Sequence, residues 1–368
     1  EAYADSQAAT AQPRDDQVRM VQIWLNQNYK SVFEAHDFTV SEDGITGGNT
    51  VKGLLYALQY ELKVEVDGAW GNDTAAAYEQ QILSYGSKNS LVPILQCALW
   101  CKGYSPGYDN VHVVDGIVSY DDDFDEDIEA AIIRLKTDAY GSAAQNGTVT
   151  VNVMKALMSM DSFQRINGGD ETVREFQQYL NRTYEDYAGL SPCDGVYGAN
   201  TNRALIRSLQ KEVGLPLDKT DGIFGTDTRD VCPEIPFSKN SSAARKFSDD
   251  PNVKGPYYTS DEIGRFTKLL QFALYVNGSN NIVFDGVFGS STSQAIQSFQ
   301  KDYSLSITGT ANPTTWMSLL SSNGDPDRSA LGLDCATILD DDKVKALYNR
   351  GYRYVGRYLT GTYDVGKS

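Results

Sequence analysis

The feature that most restricts the fold is an internal duplication. Residues 18–29, VRMVQIWLNQNY, align without a gap to residues 173–184, VREFQQYLNRTY, at an offset of 155. The loops that follow also pair: DGITGGNT at Asp43 with DGVYGANT at Asp194, and DGAWGNDT at Asp67 with DGIFGTDT at Asp221. A second kind of unit carries Leu-Gln-x-Ala-Leu at 95–99 and again at 270–274, with its own Asp-Gly turns at Asp115 and Asp285. The order is A, B, A, B. Repetition of this kind means several small supersecondary units that lean on their neighbours, in place of one large core.

Each unit opens on an amphipathic helical stretch, as Val173, Phe176, Tyr179 and Leu180 do most cleanly. An Asp-Gly turn then reverses the chain, where Gly44 and Gly195 accept a positive φ. Thr50, Thr74, Thr201, Thr228 and Thr292 stand ahead of the next helical pattern and are expected to cap its free N–H groups. Helix two follows in LLYALQYEL, ALIRSLQKEVGL and AIQSFQKDYSL, and a short third helix in TTWMSLL at 314–320. The expected fold is mainly α. Its parts are a terminal segment 1–16, A1 at 17–88, B1 at 89–162, A2 at 170–236, a Ser/Asn/Pro/Gly-rich brace at 237–260, B2 at 261–322, and a different C-terminal piece at 329–368.

Charge and composition exclude several functions. With 32 Lys+Arg against 49 Asp+Glu the net charge is −17, which repels polyphosphate and leaves no basic stripe, so nucleic acid is not an expected partner. No apolar run reaches the ~18 residues of a membrane span, and membrane insertion is not expected. The first 16 residues lack the basic and apolar regions of a secretory signal.

Five cysteines do not make a disulfide scaffold. Cys97 and Cys101 share a helix face, either as buried small hydrophobes or as a metal or redox pair. Cys193 and Cys232 fall in one unit and are the candidate disulfide; Cys335 has no evident partner. The run from Asp121 to Glu129 offers oxygen ligands for calcium but lacks an EF-hand glycine, and otherwise reads as a solvated entry to a helix N-terminus. His36 and His112 are the only histidines, too few and too separate for a zinc centre; no metal site and no cofactor are assigned.

The pattern DG-x-x-G-x-x-T, with Leu-Gln or Phe-Gln in the helices and a final Trp-containing helix, resembles the three-helix peptidoglycan-binding domain attached to wall-lytic enzymes. DGVFGSSTSQAIQSFQKDYSLSITGTANPTTWMSLL, from Asp285, carries nearly the whole pattern. B1 departs from it, with SYDDDFDED where G-x-x-T is expected and NGTVT at its second turn. The resemblance implies four modules over about 17–320, and peptidoglycan as partner. The loop aromatics Trp70, Tyr197, Phe224 and Phe288 are candidates to stack on sugar faces or cover a stem peptide, or else they plug the module cores. Asp43, Asp67, Asp194, Asp221 and Asp285 face the same choice between touching a ligand, for which Asp194 and Asp285 are the candidates, and stabilising their turns, the favoured role.

From Leu331 the pattern becomes strand, helix, strand: LGLDCAT, DDKVKALYNRG and YRYVGRYLTG. This β-α-β stretch resembles the opening of glycoside-hydrolase-like barrels related to family 25 lysozymes. The resemblance implies an acidic residue at the end of the first strand, here Asp334, as a catalytic candidate, with Arg357 and Tyr358 behind it. A whole barrel takes ~250 residues, so a truncated barrel and an inactive fragment are expected. The functional expectation is a wall-binding, targeting region of a secreted glycoside-hydrolase-like protein, extracellular and cell-wall associated, with several weak modules adding avidity. The alternatives are a self-assembling structural rod or fibre, and part of a lytic enzyme of the endolysin or muramidase kind.

Overall fold

The computed structural model describes residues 15–142, 146–236 and 260–321, and the backbone of 331–335 and 352–357. These residues are mainly helical, as expected. The helices fall into two compact units that divide near Gly168.

The first unit contains α1 (Asp16–Asn28), α2 (Lys30–Ala35), α3 (Gly48–Leu62), α4 (Asn72–Glu79), α5 (Leu91–Lys102), β1 (Val111–Val114), β2 (Ile117–Tyr120), α6 (Glu126–Tyr140) and α7 (Val151–Leu157). Asp15 caps α1 by accepting from the N–H groups of Gln17 and Val18. Helix α5 is buried on every side from Leu91 to Trp100 and packs against α1, α3, α6 and α7, so it is the axis of this unit. Cys97 lies inside that packing, where burial raises the pKa of its thiol, and Cys101 sits half-buried one turn on; neither is in a disulfide.

The second unit contains α8 (Glu171–Ala188), α9 (Ala199–Glu212), α10 (Thr226–Val231), α11 (Ser260–Tyr275), α12 (Ser290–Asp302) and α13 (Pro313–Ser321). Its apolar side chains form one continuous cluster that runs through Phe176, Leu180, Leu205, Leu209, Leu270, Ile296, Phe299 and Trp316. At its centre the rings of Phe176 on α8 and Phe272 on α11 stack 3.8 Å apart, 6° from parallel, and Phe284 meets both edge-on. Beside them Arg265 on α11 donates at 2.7 and 3.2 Å to the buried carboxylate of Glu212 on α9.

The duplication extends to backbone detail. Tyr29 ends α1 at φ −119°, ψ 22°, and its counterpart Tyr184 breaks the helical path of α8 at φ −131°, ψ 16°. Both rings are buried. Single β-bridges recur as well, joining Leu83 to Val149 in the first unit and Ile235 to Ala311 in the second.

Two expectations need correction. The stretch around Asp115 is an antiparallel hairpin, with Val111 opposite Tyr120 and Val114 opposite Ile117. Asp115 and Gly116 both take positive φ, 51° and 79°, the geometry that tight hairpins require. The expected disulfide is also not formed: Cys193 and Cys232 are not bridged. The sulfur of Cys193 instead accepts from the Asn181 amide at 3.2 Å, while Cys232 is the C-cap of α10 and packs into the apolar cluster.

The acidic run serves a helix start. Asp125 accepts from the Ile128 N–H, Glu126, Asp127 and Glu129 fill the first turn of α6, and Asp122 and Asp123 lie near Lys88. Further along, β3 (Leu331–Cys335) and β4 (Tyr352–Arg357) pair in parallel, with Asp334 opposite Gly356 and Cys335 opposite Arg357. The two strands match the expected positions. The expected helix between them, Tyr358, the N-terminal segment and most of the 237–260 brace lie outside the described residues.

Replacement of Phe272 by Ala removes the central stacked ring and leaves a cavity. It is expected to destabilise the second unit by about 3–5 kcal/mol, read as a lower urea midpoint for the unfolding of that unit.

Candidate ligand-binding turns

A buried glutamine organises each D-G-x-x-G-x-x-T turn. In the best-enclosed case Gln177, fully buried on α8, donates from Nε2 to Asp194 Oδ1 at 2.9 Å, to the Val196 carbonyl at 3.0 Å and to Thr201 Oγ1 at 2.9 Å. Its Oε1 accepts from the Gly195 N–H at 2.9 Å. The aspartate then accepts from the Val196 N–H, and the threonine hydroxyl donates to the Val196 carbonyl. One amide thus ties the helix, the turn and the start of the next helix together.

This clip recurs with the same atoms. Gln22 holds Asp43, Gly44, Ile45 and Thr50. Gln59 holds Asp67, Gly68, Ala69 and Thr74. Gln210 holds Asp221, Gly222, Ile223 and Thr228. Gln271 holds Asp285, Gly286, Val287 and Thr292. Gln300 makes the equivalent contacts to Thr308, Gly309, Thr310 and Thr315, with a threonine in the place of the aspartate. At Gly195 the clip demands glycine twice over, since φ is 78° and a Cβ would come within 2.7 Å of the Asp170 carbonyl oxygen.

The threonines therefore do not cap as expected. The N-cap positions of α3, α4, α9, α10 and α12 are glycines, and the threonine sits one turn in, hydrogen-bonded to the clip. On α5 the clip is incomplete: Gln96 donates to the Asp121 carbonyl at 2.7 Å, but its buried Oε1 has no hydrogen-bond partner. On α6 the corresponding side chain is Lys136, whose ammonium reaches Asn146.

Among the candidate contact residues, Asp194 is buried inside its clip, while Asp285 is exposed yet binds Gln271 and the Val287 N–H. Tyr197, Phe224 and Phe288 are half-buried against the apolar cluster of the second unit. The Tyr197 hydroxyl also donates to Asn202 at 2.7 Å. Trp70, half-buried, meets Tyr78 edge-on at 6.5 Å. Around this last turn a groove of about 290 Å³ opens, lined by residues that include Glu65, Asp67, Ala69, Gly71, Asn72 and Asp73. Sequence reading missed the glutamines and this groove, although the Leu-Gln and Phe-Gln pairs were part of the aligned pattern. Asp334 lies within β3, away from any described helical turn in sequence.

In three of the clips the hydrogen bonds hold the aspartate below the ordinary carboxylate range. The Gln210 amide, and then the Ile223 N–H, lower Asp221; Gln271 and the Val287 N–H lower Asp285; the Ala69 N–H and Gln59 lower Asp67.

Comparison with known proteins places the chain. The model of the FadG/YbfG PGDB-like domain matches residues 12–158 and 166–244, more than half of the sequence. The chain belongs to the FadG/YbfG PGDB-like family. Residues 264–319, which contain the clips of Gln271 and Gln300, match the PG_binding_1 peptidoglycan binding domain. The Bacillus subtilis (strain 168) protein YbfG is 37% identical over 353 residues, covering 94% of this chain and 43% of its own length. FadG of the same organism is 34% identical over 352 residues, covering 94% and 55%. The chain thus spans about half the length of these relatives. A Bacillus licheniformis protein named "Probable N-acetylmuramoyl-L-alanine amidase" is 32% identical over 136 residues, 35% of this chain and 36% of that protein. No solved structure matches the chain. Among the described residues no helix is long and apolar enough to cross a membrane.

Two tests follow from the clip. Gln177→Leu keeps the volume but leaves Asp194, Thr201 and the Gly195 N–H without their partner, and is expected to cost about 2–4 kcal/mol in urea unfolding. The lowered aspartates add stability that is present above the ordinary carboxylate range and is lost as pH falls through their folded values, below about pH 4. Asp285→Asn keeps an acceptor oxygen without the charge, so its stability should fall less steeply than wild type in that acid range; parallel acid-unfolding curves would count against the linkage.

Proposed function

We propose that this chain is the wall-binding region of a secreted, cell-wall-associated protein, non-catalytic in itself, built as two A–B pairs of peptidoglycan-binding-like modules. The observation that supports it most is the clip. The peptidoglycan binding domain at 264–319 contains two, and four more with the same donor and acceptors lie at Gln22, Gln59, Gln177 and Gln210. On this reading the modules share a scaffold and differ in the side chains their turns present. Each module binds peptidoglycan weakly, and linkage raises the avidity. The contacts are drawn from Trp70, Tyr197, Phe224 and Phe288, with Asp194 and Asp285 acting mainly on the shape of their turns. The parallel pair β3–β4 is read as the opening of a glycoside-hydrolase-like barrel, with Asp334 as its candidate acid, and the amidase relative makes a lytic parent protein a consistent extension.

A second reading has its own support. The hairpin that replaces the clip exposes Val113, Val114 and Ile117, each more than half accessible, which suits an assembly contact better than a sugar. In that case the chain would be a structural element whose modules pack with copies of themselves.

Purified sacculi separate the two. The chain is expected to co-sediment with them, and a variant lacking residues 170–322 should bind at least about tenfold more weakly. A chain that stays in the supernatant and elutes as a large oligomer would support assembly instead.

A further inference from the structure

Three of the clip helices press two side chains against the turn that the clip holds, and on α9 both are arginines. They stand three and seven residues before the clip glutamine, one helical turn apart on the same face. The pairs are Tyr56 and Lys52 before Gln59, Gln297 and Ser293 before Gln300, and Arg207 and Arg203 before Gln210. Each pair closes over the turn glycine, so that a Cβ at Gly68, Gly309 or Gly222 would press on both members. At Gly222 such a Cβ would meet the stem of Arg203 and stand 3.2 Å from Arg207 Nε. Two cations are thereby held together beside one turn.

The three pairs differ in how charge is met. Lys52 lies over the rings of Tyr56 and Phe38, 5.2 and 5.9 Å from their centroids. Ser293 and Gln297 carry no charge. Arg203 and Arg207 repel each other, and among the described residues neither is in an ion pair. Arg207 is half-buried; its Nε is covered and has no hydrogen-bond partner, and its Nη1 reaches the Ala188 carbonyl only at 3.5 Å. Burial, and then the Arg203 charge, lower the pKa of the Arg207 guanidinium. Asp221 offsets this only in part, and it accepts from the Gln210 amide and the Ile223 N–H. Glu212, further along α9, is already shared by Lys211 and Arg265. A half-buried pair of like charges costs stability by itself, and an oxyanion held by both would remove that cost.

Guanidinium forks match the paired oxygens of a carboxylate or a phosphate. The rest of the surface discriminates between them. At a net charge of −17 the chain repels a polyphosphate, whose further charges would face acidic surface, whereas one isolated anion meets only the arginines. The isolated anions of peptidoglycan are the carboxylates of its short stem peptides.

We propose that Arg203 and Arg207 form an oxyanion site for one carboxylate of a peptidoglycan stem peptide. This rests on the wall-binding reading above and makes it specific: the α9 face of the second unit reads the charge of the peptide.

Calorimetry on the whole chain tests the site with three probes: the peptide acetyl-L-Ala-γ-D-Glu-L-Lys-D-Ala as the free acid, the same peptide with both carboxylates amidated, and sodium phosphate. The free acid is expected to bind, less tightly as salt is added, and the amide at least about tenfold more weakly. Phosphate is expected to bind more weakly than the free acid. Arg203→Ser with Arg207→Gln copies the residues at 293 and 297, and should lose at least about tenfold in affinity for the free acid while its thermal midpoint holds or rises, because the repulsion is gone. Arg203→Gln alone changes an exposed residue and keeps the stem that lies on Gly222, so it reads the same loss should the double variant fail to fold. Equal binding of acid and amide, phosphate bound as tightly as the peptide, no binding of the free acid, or unchanged affinity in Arg203→Gln would overturn the site. If sacculi still bind in those cases, the wall-binding reading stands without it; if the free acid binds through the arginines but sacculi do not bind, the site stands and that reading fails.

Discussion

A carboxamide buried in an apolar helix face is costly unless all of its hydrogen-bonding capacity is met, and the described residues meet that demand six times in the same way. In each clip the glutamine nitrogen spans an Asp or Thr oxygen, a turn carbonyl and a threonine hydroxyl, and the glutamine oxygen takes the N–H of the turn glycine. The net worth of each bond is only about 1 kcal/mol. The penalty for losing the amide is larger, because several buried groups would be orphaned together. Helix packing elsewhere follows from this. Once the turn is fixed, the next helix starts at a set place and angle and packs on a neighbour: α3 on α5 and α4 on α7 in the first unit, α9 and α12 on α11 and α10 on α13 in the second.

The incomplete clip on α5 shows what the interaction does by what replaces it. Gln96 keeps its place and one bond, but the chain between Tyr108 and Asp121 no longer supplies the glycine N–H, and the amide oxygen is left without a partner. The hairpin β1–β2 takes over the reversal, and it is held by another glutamine: Gln27 on α1 donates to the Gly116 carbonyl and accepts from the Val118 N–H. A side-chain amide here pairs with the outer edge of β2 as a neighbouring strand would, which satisfies backbone groups that a two-stranded ribbon otherwise leaves open.

Much of this was legible in the sequence. The duplication, the helix positions and the Asp-Gly reversals follow from patterns that local chemistry dictates, and the helices lie where the apolar spacing put them. What escaped was long-range. The partner of each aspartate is a glutamine between 8 and 21 residues away in the chain, and nothing local distinguishes a glutamine that faces inward from one that faces water. The threonines were assigned to caps because cap residues are usually Ser, Thr, Asp or Asn; glycines hold that position here, since the clip already uses the threonine hydroxyl. The hairpin did have a signal, VHVV-DG-IVSY, which alternates around the turn pair that hairpins favour. Its alignment with the helical loops concealed it. A bridge between Cys193 and Cys232 depends on where the fold places the two sulfurs, Cys193 on the Asn181 amide and Cys232 in the apolar cluster, which spacing does not supply.

A scaffold that fixes its turns with buried atoms leaves the outward positions free to vary. In the five Asp-Gly clips the residue after the turn glycine is Ala, Ile or Val, and the next is Thr, Trp, Tyr or Phe, while the glutamine, glycine and threonine stay the same. The two sets of residues answer to different physics. Inward ones must satisfy an amide in the dark of the core, and any change there costs stability at once. Outward ones touch solvent or a ligand, and in the second unit Tyr197, Phe224 and Phe288 have been drawn back against the apolar cluster. On the α3–α4 turn a groove opens beside Ala69 and Gly71. Repetition of a rigid turn therefore does not imply repetition of its surface: an alanine stands at position 69 where Ile45, Val196, Ile223 and Val287 stand in the other Asp-Gly clips.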